Sequence, residues 1–205
     1  MKLNNVASIC ARVKCAHIGH VVDRDGVLTQ FVGDGGAMYR IDGLPALDKD
    51  TLLTIFSVLP KKKEEWQVIE GAMPEEINAE DVDIREIELE PGRIRITSGG
   101  MLLIPMFGGG GVVFMNSAYL KPIHDDAGVQ KFFLRRSEYS EPYIVVKAGF
   151  LLQAIIRPEE VINKAFTDSI SALAYQCRRM LDQKDRVGES RTEDLPLLKE
   201  DENAE

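Results

Sequence analysis

The chain has 205 residues, 44% of them hydrophobic and 28% charged, and carries a formal net charge of −8. That supplies enough apolar material for a core, so disorder of the whole chain is excluded. So is a protein that coats nucleic acid by overall positive charge, unless its cations are segregated on one face. Three cysteines make no disulfide scaffold, and reduced thiols in a cytoplasm fit best. The longest apolar runs, residues 101–107 and 150–156, are broken by Pro105 and Gln153 and fall far short of a membrane helix. No secretory segment is expected either, because Asn4, Asn5, Ser8 and Arg12 interrupt the N-terminal apolar positions.

Leu3, Val6, Ala7, Cys10 and Val13 recur at helical spacing, which predicts an amphipathic helix over 3–14. Strands follow at 16–22 and 27–32, joined by a tight turn at Asp25-Gly26. Gly33-Asp34-Gly35-Gly36 is a second turn, into a strand over 37–41. Asp48 or Asp50 caps a helix at about 49–58 that buries Leu52, Leu53, Ile55 and Phe56. A strand is expected at 66–69.

Composition shifts at residues 64–90. Eleven acidic residues (Glu64, Glu65, Glu70, Glu75, Glu76, Glu80, Asp81, Asp83, Glu86, Glu88, Glu90) stand there against Arg85 alone. The middle of this segment, 71–83, reads as a solvated linker that holds a domain boundary. Strand signals resume at 93–97, 101–107, 112–115, 131–136, 143–147 and 150–156, with a short helix after Asn116. Pro158, Glu159 and Glu160 suit a first helical turn, and a long helix is expected over 158–185. Val161, Ala165, Phe166, Ile170, Leu173, Ala174, Cys177 and Leu181 would share one side of it. Residues 186–205 read as a disordered acidic tail.

Candidate chemistry is sparse. Cys10, Cys15, His17 and His20 fit no common zinc spacing, and alternation puts them on different faces. His124-Asp125-Asp126 reads as a turn. The glycine runs 33–36 and 108–111 lead into strands rather than helices, so they are hairpin turns and not phosphate loops. G-x-S-x-G and H-E-x-x-H are absent. No enzyme, metal or cofactor is expected. Among the cations, Lys2, Arg12 and Lys14 lie on the first helix and Lys131, Arg135 and Arg136 on one strand. Most such charges are solvated surface; segregated on one face they would follow a phosphate backbone without reading bases.

Residues 112–158 (VVFMNSAYLKPIHDDAGVQKFFLRRSEYSEPYIVVKAGFLLQAIIRP) resemble the repeating unit of bacterial DNA sliding clamps. The first half resembles a degenerate copy. With DGLPALD (42–48) and KAGFLLQAII (147–156), the chain also resembles a family of uncharacterised phage and prophage replication-region proteins. The resemblance implies an α+β fold of two antiparallel-sheet-plus-helix units. These would span 1–75 and 93–157, with 76–92 as linker, followed by the helix and tail. It further implies a non-enzymatic replication or recombination accessory protein that encircles or braces duplex DNA, with replication proteins or a second copy of itself as partners. In the tail, Asp194, Leu195, Leu197 and Leu198 resemble the short peptide by which replication proteins dock on clamps. An adaptor that binds a protein through the acidic segment and tail is the alternative, and a hydrolase a third reading.

Overall fold

The structure, a computed structural model, describes residues 1–22, 26–123, 130–138 and 141–192, the stretch 185–192 as backbone only. Helix α1 (Leu3–Val13) leads into β1 (Cys15–Val22), β2 (Leu28–Gly33) and β3 (Ala37–Ile41). Then come α2 (Lys49–Ile55), a 3-10 helix (Pro60–Glu65), β4 (Gln67–Ala72), β5 (Ile87–Pro91), β6 (Ile96–Ser98), β7 (Met101–Gly108) and β8 (Gly111–Asn116). A second 3-10 helix (Ser117–Leu120), β9 (Gln130–Arg136), β10 (Pro142–Ala148), β11 (Leu151–Ile156) and α3 (Lys164–Thr192) complete the chain. The fold is α+β. Asp48 caps α2 as expected, accepting from the Thr51 N–H at 2.8 Å.

The strands form one hydrogen-bonded path, β4-β1-β2-β3-β11-β10-β9-β5-β7-β6, with β8 beside β7. Only β4 against β1 is parallel among these pairs. The strands of residues 1–75 (β4-β1-β2-β3) form one continuous stretch of this path, and those of 93–157 adjoin it where β3 pairs with β11. The edge that β3 would expose is paired by β11, with Met38 opposite Ile155. The described residues up to 160 form one compact unit and those from 161 another.

Alternation along the strands gives this sheet two faces. Ala16, Ile18, Val32, Tyr39, Ile144, Val146 and Ile156 pack with Val6, Ile9 and Cys10 of α1. Phe31, Tyr143, Val145, Leu152 and Ile155 face the other way, under Met73, Ile77 and Ala79. A bulge at Gln153 sets Leu152 opposite Lys147 and Ala154 opposite Val146, which keeps both residues on their own faces.

The acidic segment is no free linker. Its residues cover the second face because that face carries buried cations. Arg135 is fully buried, and both its Nε and Nη2 donate to Glu86 Oε2, at 2.9 and 2.7 Å. Its Nη1 donates to the carbonyls of Asn78 and Glu80 at 2.9 and 2.8 Å. Lys147 Nζ holds Glu86 Oε1 at 2.5 Å and sits 4.5 Å above the Phe133 ring. Asp81 accepts from the Leu152 N–H at 2.7 Å and from Arg40 Nη1 at 3.0 Å. A buried charge is tolerated only when paired and hydrogen-bonded, and these carboxylates and carbonyls supply both.

Helix α3 starts later than expected. The Glu159 N–H donates to the Phe114 carbonyl at 2.7 Å, which holds 158–160 out of a helix. Asn163 Oδ1 instead accepts from the Phe166 N–H at 3.0 Å and caps α3. The backbone remains helical to Thr192, so 186–192 belongs to the helix and not to a tail. No described helix is long and apolar enough to cross a membrane.

Candidate ligand cleft

A cleft of about 430 Å³ opens on the sheet face away from α1. That size suits a small-molecule site. Its walls are mainly apolar: Met38 and Ile155 come from strands, and Ile69, Met73 and Ile77 from β4 and the segment after it. Tyr143 stands in the lining and its Oη accepts from the Asn78 N–H at 3.0 Å, which ties the covering segment to β10. Burial, the largest cause, pushes the Tyr143 phenol above its ordinary value, so it stays protonated.

His17 and Arg157 both reach the Gly35–Gly36 turn, the first by its side chain and the second by its backbone. A Cβ built on Gly35 would lie 3.0 Å from His17 Nε2, so the imidazole rests against this glycine. The Arg157 N–H donates to the Gly36 carbonyl at 2.8 Å, which brings Arg157 to the same turn from the end of β11. The guanidinium remains exposed, 3.7 Å from Glu160. Both glycines are required here. Gly35 has φ +86°, and a Cβ on Gly36 would lie 2.3 Å from Tyr119 Oη. Asp34 Oδ1 accepts from the Gly36 and Ala37 N–H groups at 2.9 Å each, and Tyr119 donates to Asp34 Oδ2 at 3.3 Å. Burial, then Asp34, pushes the Tyr119 hydroxyl up to about 12. Ser137 and Glu141 also line the cleft, and the Glu141 N–H donates to Ser137 Oγ at 3.1 Å.

The six expected DNA contacts do not share a face. Lys2, Arg12 and Lys14 are exposed with α1 on one side of the sheet, and Lys14 Nζ is paired with Glu65 at 2.5 Å. Lys131 points from the opposite side and pairs with Glu88 at 2.9 Å. Arg135 shares that side but is buried against Glu86, so no phosphate reaches it. Arg136 alternates back to the first side and is exposed. Asp194, Leu195, Leu197 and Leu198 lie outside the described residues, as does His124.

Of the Cys and His cluster, Cys10 is buried on α1, where desolvation first and Asp34 second push its thiol up to about 12. His17 alone enters the cleft lining. Its position among lone surface histidines gave no sign of this, because the other walls come from residues 35–38, 69–77, 137–143 and 155–157. Among the described residues, no group of three or more His, Cys, Asp or Glu side chains is placed to hold a metal ion. No protein-family model, curated protein or solved structure matches the chain.

Proposed function

We propose that residues 1–160 form a binding module whose cleft takes an apolar group ending in an anion. The observation that carries this reading is that His17 and Arg157 both line the cleft at the Gly35–Gly36 turn, beside Met38, Met73, Ile77 and Ile155. An apolar pocket with a few convergent polar groups is the usual form of a small-molecule site. The apolar tail would gain from leaving water, and the anion from a charge-assisted hydrogen bond to the guanidinium. Tyr143, held protonated, adds no opposing charge.

A duplex-tracking, clamp-like role draws its support from Lys2, Arg12 and Lys14 beside α1, with Arg136 on the same side of the sheet. A protein-docking role for the acidic segment draws less, since Asp81 and Glu86 already bind Arg40, Arg135 and Lys147.

The test is competition among ligands that share one tail. Decanoate, decanol and decylammonium are titrated against the full chain with 1-anilinonaphthalene-8-sulfonate as reporter. Decanoate should displace the dye best, and Arg157→Gln should weaken decanoate by about 10- to 100-fold, the worth of one hydrogen bond to a charged group. Equal binding of all three ligands, or indifference to Arg157→Gln, would reject the reading.

A further inference from the structure

Helix α3 carries an apolar stripe that lies open. Leu173 is 60% exposed and Met180 56%, and Ile170 and Leu181 are also exposed. Phe166, Ile170, Leu173, Cys177, Met180 and Lys184 follow one another at alternating steps of four and three, the spacing of a and d positions in a heptad. That narrow two-position stripe is the form a coiled-coil seam takes. Most helical stability in proteins comes from packing of an apolar face, so the stripe calls for a partner.

The charges say which partner. With Phe166, Leu173 and Met180 at d and Ile170, Cys177 and Lys184 at a, the flanking e and g positions are Thr167, Ser169, Ala174, Gln176, Leu181 and Gln183. None is charged. The charged residues Lys164, Asp168, Arg178, Arg179 and Asp182 fall at b, c and f, away from the seam. An unlike coiled-coil partner is normally selected by charges at e and g, and like charges there oppose self-pairing. This helix has neither, so its flanks are neutral toward a copy of themselves.

Lys184 decides the orientation. In a parallel pair it would meet its own copy, a like-charge layer. In an antiparallel pair the seam residues match in a-to-d layers: Phe166 with Lys184, Ile170 with Met180, and Leu173 with Cys177. The lysine then lies against an aromatic ring, a favourable pairing for a cation. The flanks remain compatible, with Ala174 meeting Ala174 and Gln176 meeting Gln176. We infer that α3 pairs antiparallel with α3 of a second copy of this chain, forming a homodimer through the seam from Phe166 to Lys184.

The test uses the full chain. Light scattering after size exclusion at tens of micromolar should give about twice the 22.9 kDa chain mass. Leu173→Glu with Met180→Glu should halve it. The thermal transition of the sheet unit at fixed near-ultraviolet signal should stay in place, since both side chains are exposed. Under mild oxidation, Leu173→Cys should give a disulfide-linked dimer through Cys177, and the wild type much less. A monomeric wild type overturns the inference. So does a dimer that survives the double substitution, which would place the interface elsewhere. Rapid Cys177–Cys177 crosslinking of the wild type would overturn the antiparallel arrangement.

Discussion

Arg135→Met and Lys131→Gln form a matched pair of perturbations. Both side chains stand on β9, point to the same face and pair with a glutamate next to or within β5. They differ in burial. The Lys131–Glu88 pair is about half exposed, at 50% and 56%, whereas Arg135 is 0% and Glu86 15% exposed at the side chain. An exposed pair contributes about 0–1 kcal/mol. Removing one member of a buried pair costs about 3–5 kcal/mol, because the other charge keeps its desolvation penalty. Here Lys147 still holds Glu86, but the carbonyls of Asn78 and Glu80 also lose their donor. For a unit of this size each kcal/mol shifts Tm by about 2–4 °C. Arg135→Met should therefore lower Tm by about 6–20 °C and Lys131→Gln by at most about 4 °C. Differential scanning calorimetry of both variants measures this. Equal, small shifts would show that the acidic segment does not bury Arg135, and the account of that sheet face would fail.

Gly33→Ala should destabilise by about 1–3 kcal/mol or more, because its Cβ would lie 1.7 Å from the Ala37 carbonyl oxygen. Gly71→Ala should be near neutral, having nothing within 4 Å; urea titration separates the two, and equal midpoints would contradict the packing. The Asp83 carboxyl is held below its usual 3.8, first by the Arg85 backbone N–H. A depressed carboxylate stabilises above its unfolded value and loses that contribution as pH falls through its folded one. The Tm gap between wild type and Asp83→Asn should thus be full at neutral pH and close below pH 3.8; a gap that widens in acid would reverse the sign. Duplex DNA titrated by anisotropy at several salt concentrations should show a log–log slope no steeper than about 4, the value for Lys2, Arg12, Lys14 and Arg136 acting together. A slope near 5 would require the remaining cations of β9 as well.

Local signals predicted local structure well. Alternation and turn residues marked β1, β2 and β3, and Asp48 marked the start of α2. The glycine run 33–36 is a hairpin turn, since strands flank it. Long-range pairing carried no such mark. Glu86 meets Arg135 and Lys147 across separations of 49 and 61 residues. Read locally, eleven acidic residues beside one arginine look like a solvated linker. Their partners become visible only when β9 and β10 are placed beneath them. The strand order was equally hidden, because Met38 and Ile155 are ordinary apolar residues until β11 closes the edge of β3. In the cleft, His17 was visible as a histidine and Gly35–Gly36 as a turn. Arg157 joins them only through its N–H to the Gly36 carbonyl. The apolar side of α3 was legible from spacing, but not that Leu173 and Met180 would lie open.

Methyl-resolved NMR of the full chain during a decanoate titration tests the cleft most directly. Met38, Met73, Ile77 and Ile155 line it, whereas Val6, Ile9 and Leu52 pack on the other side of the sheet or beyond it. Saturable shifts confined to the first group, abolished or much weakened in Arg157→Gln, are the expected result. Shifts spread over both groups, or centred on the exposed residues of α3, would place the ligand elsewhere and contradict the proposed function.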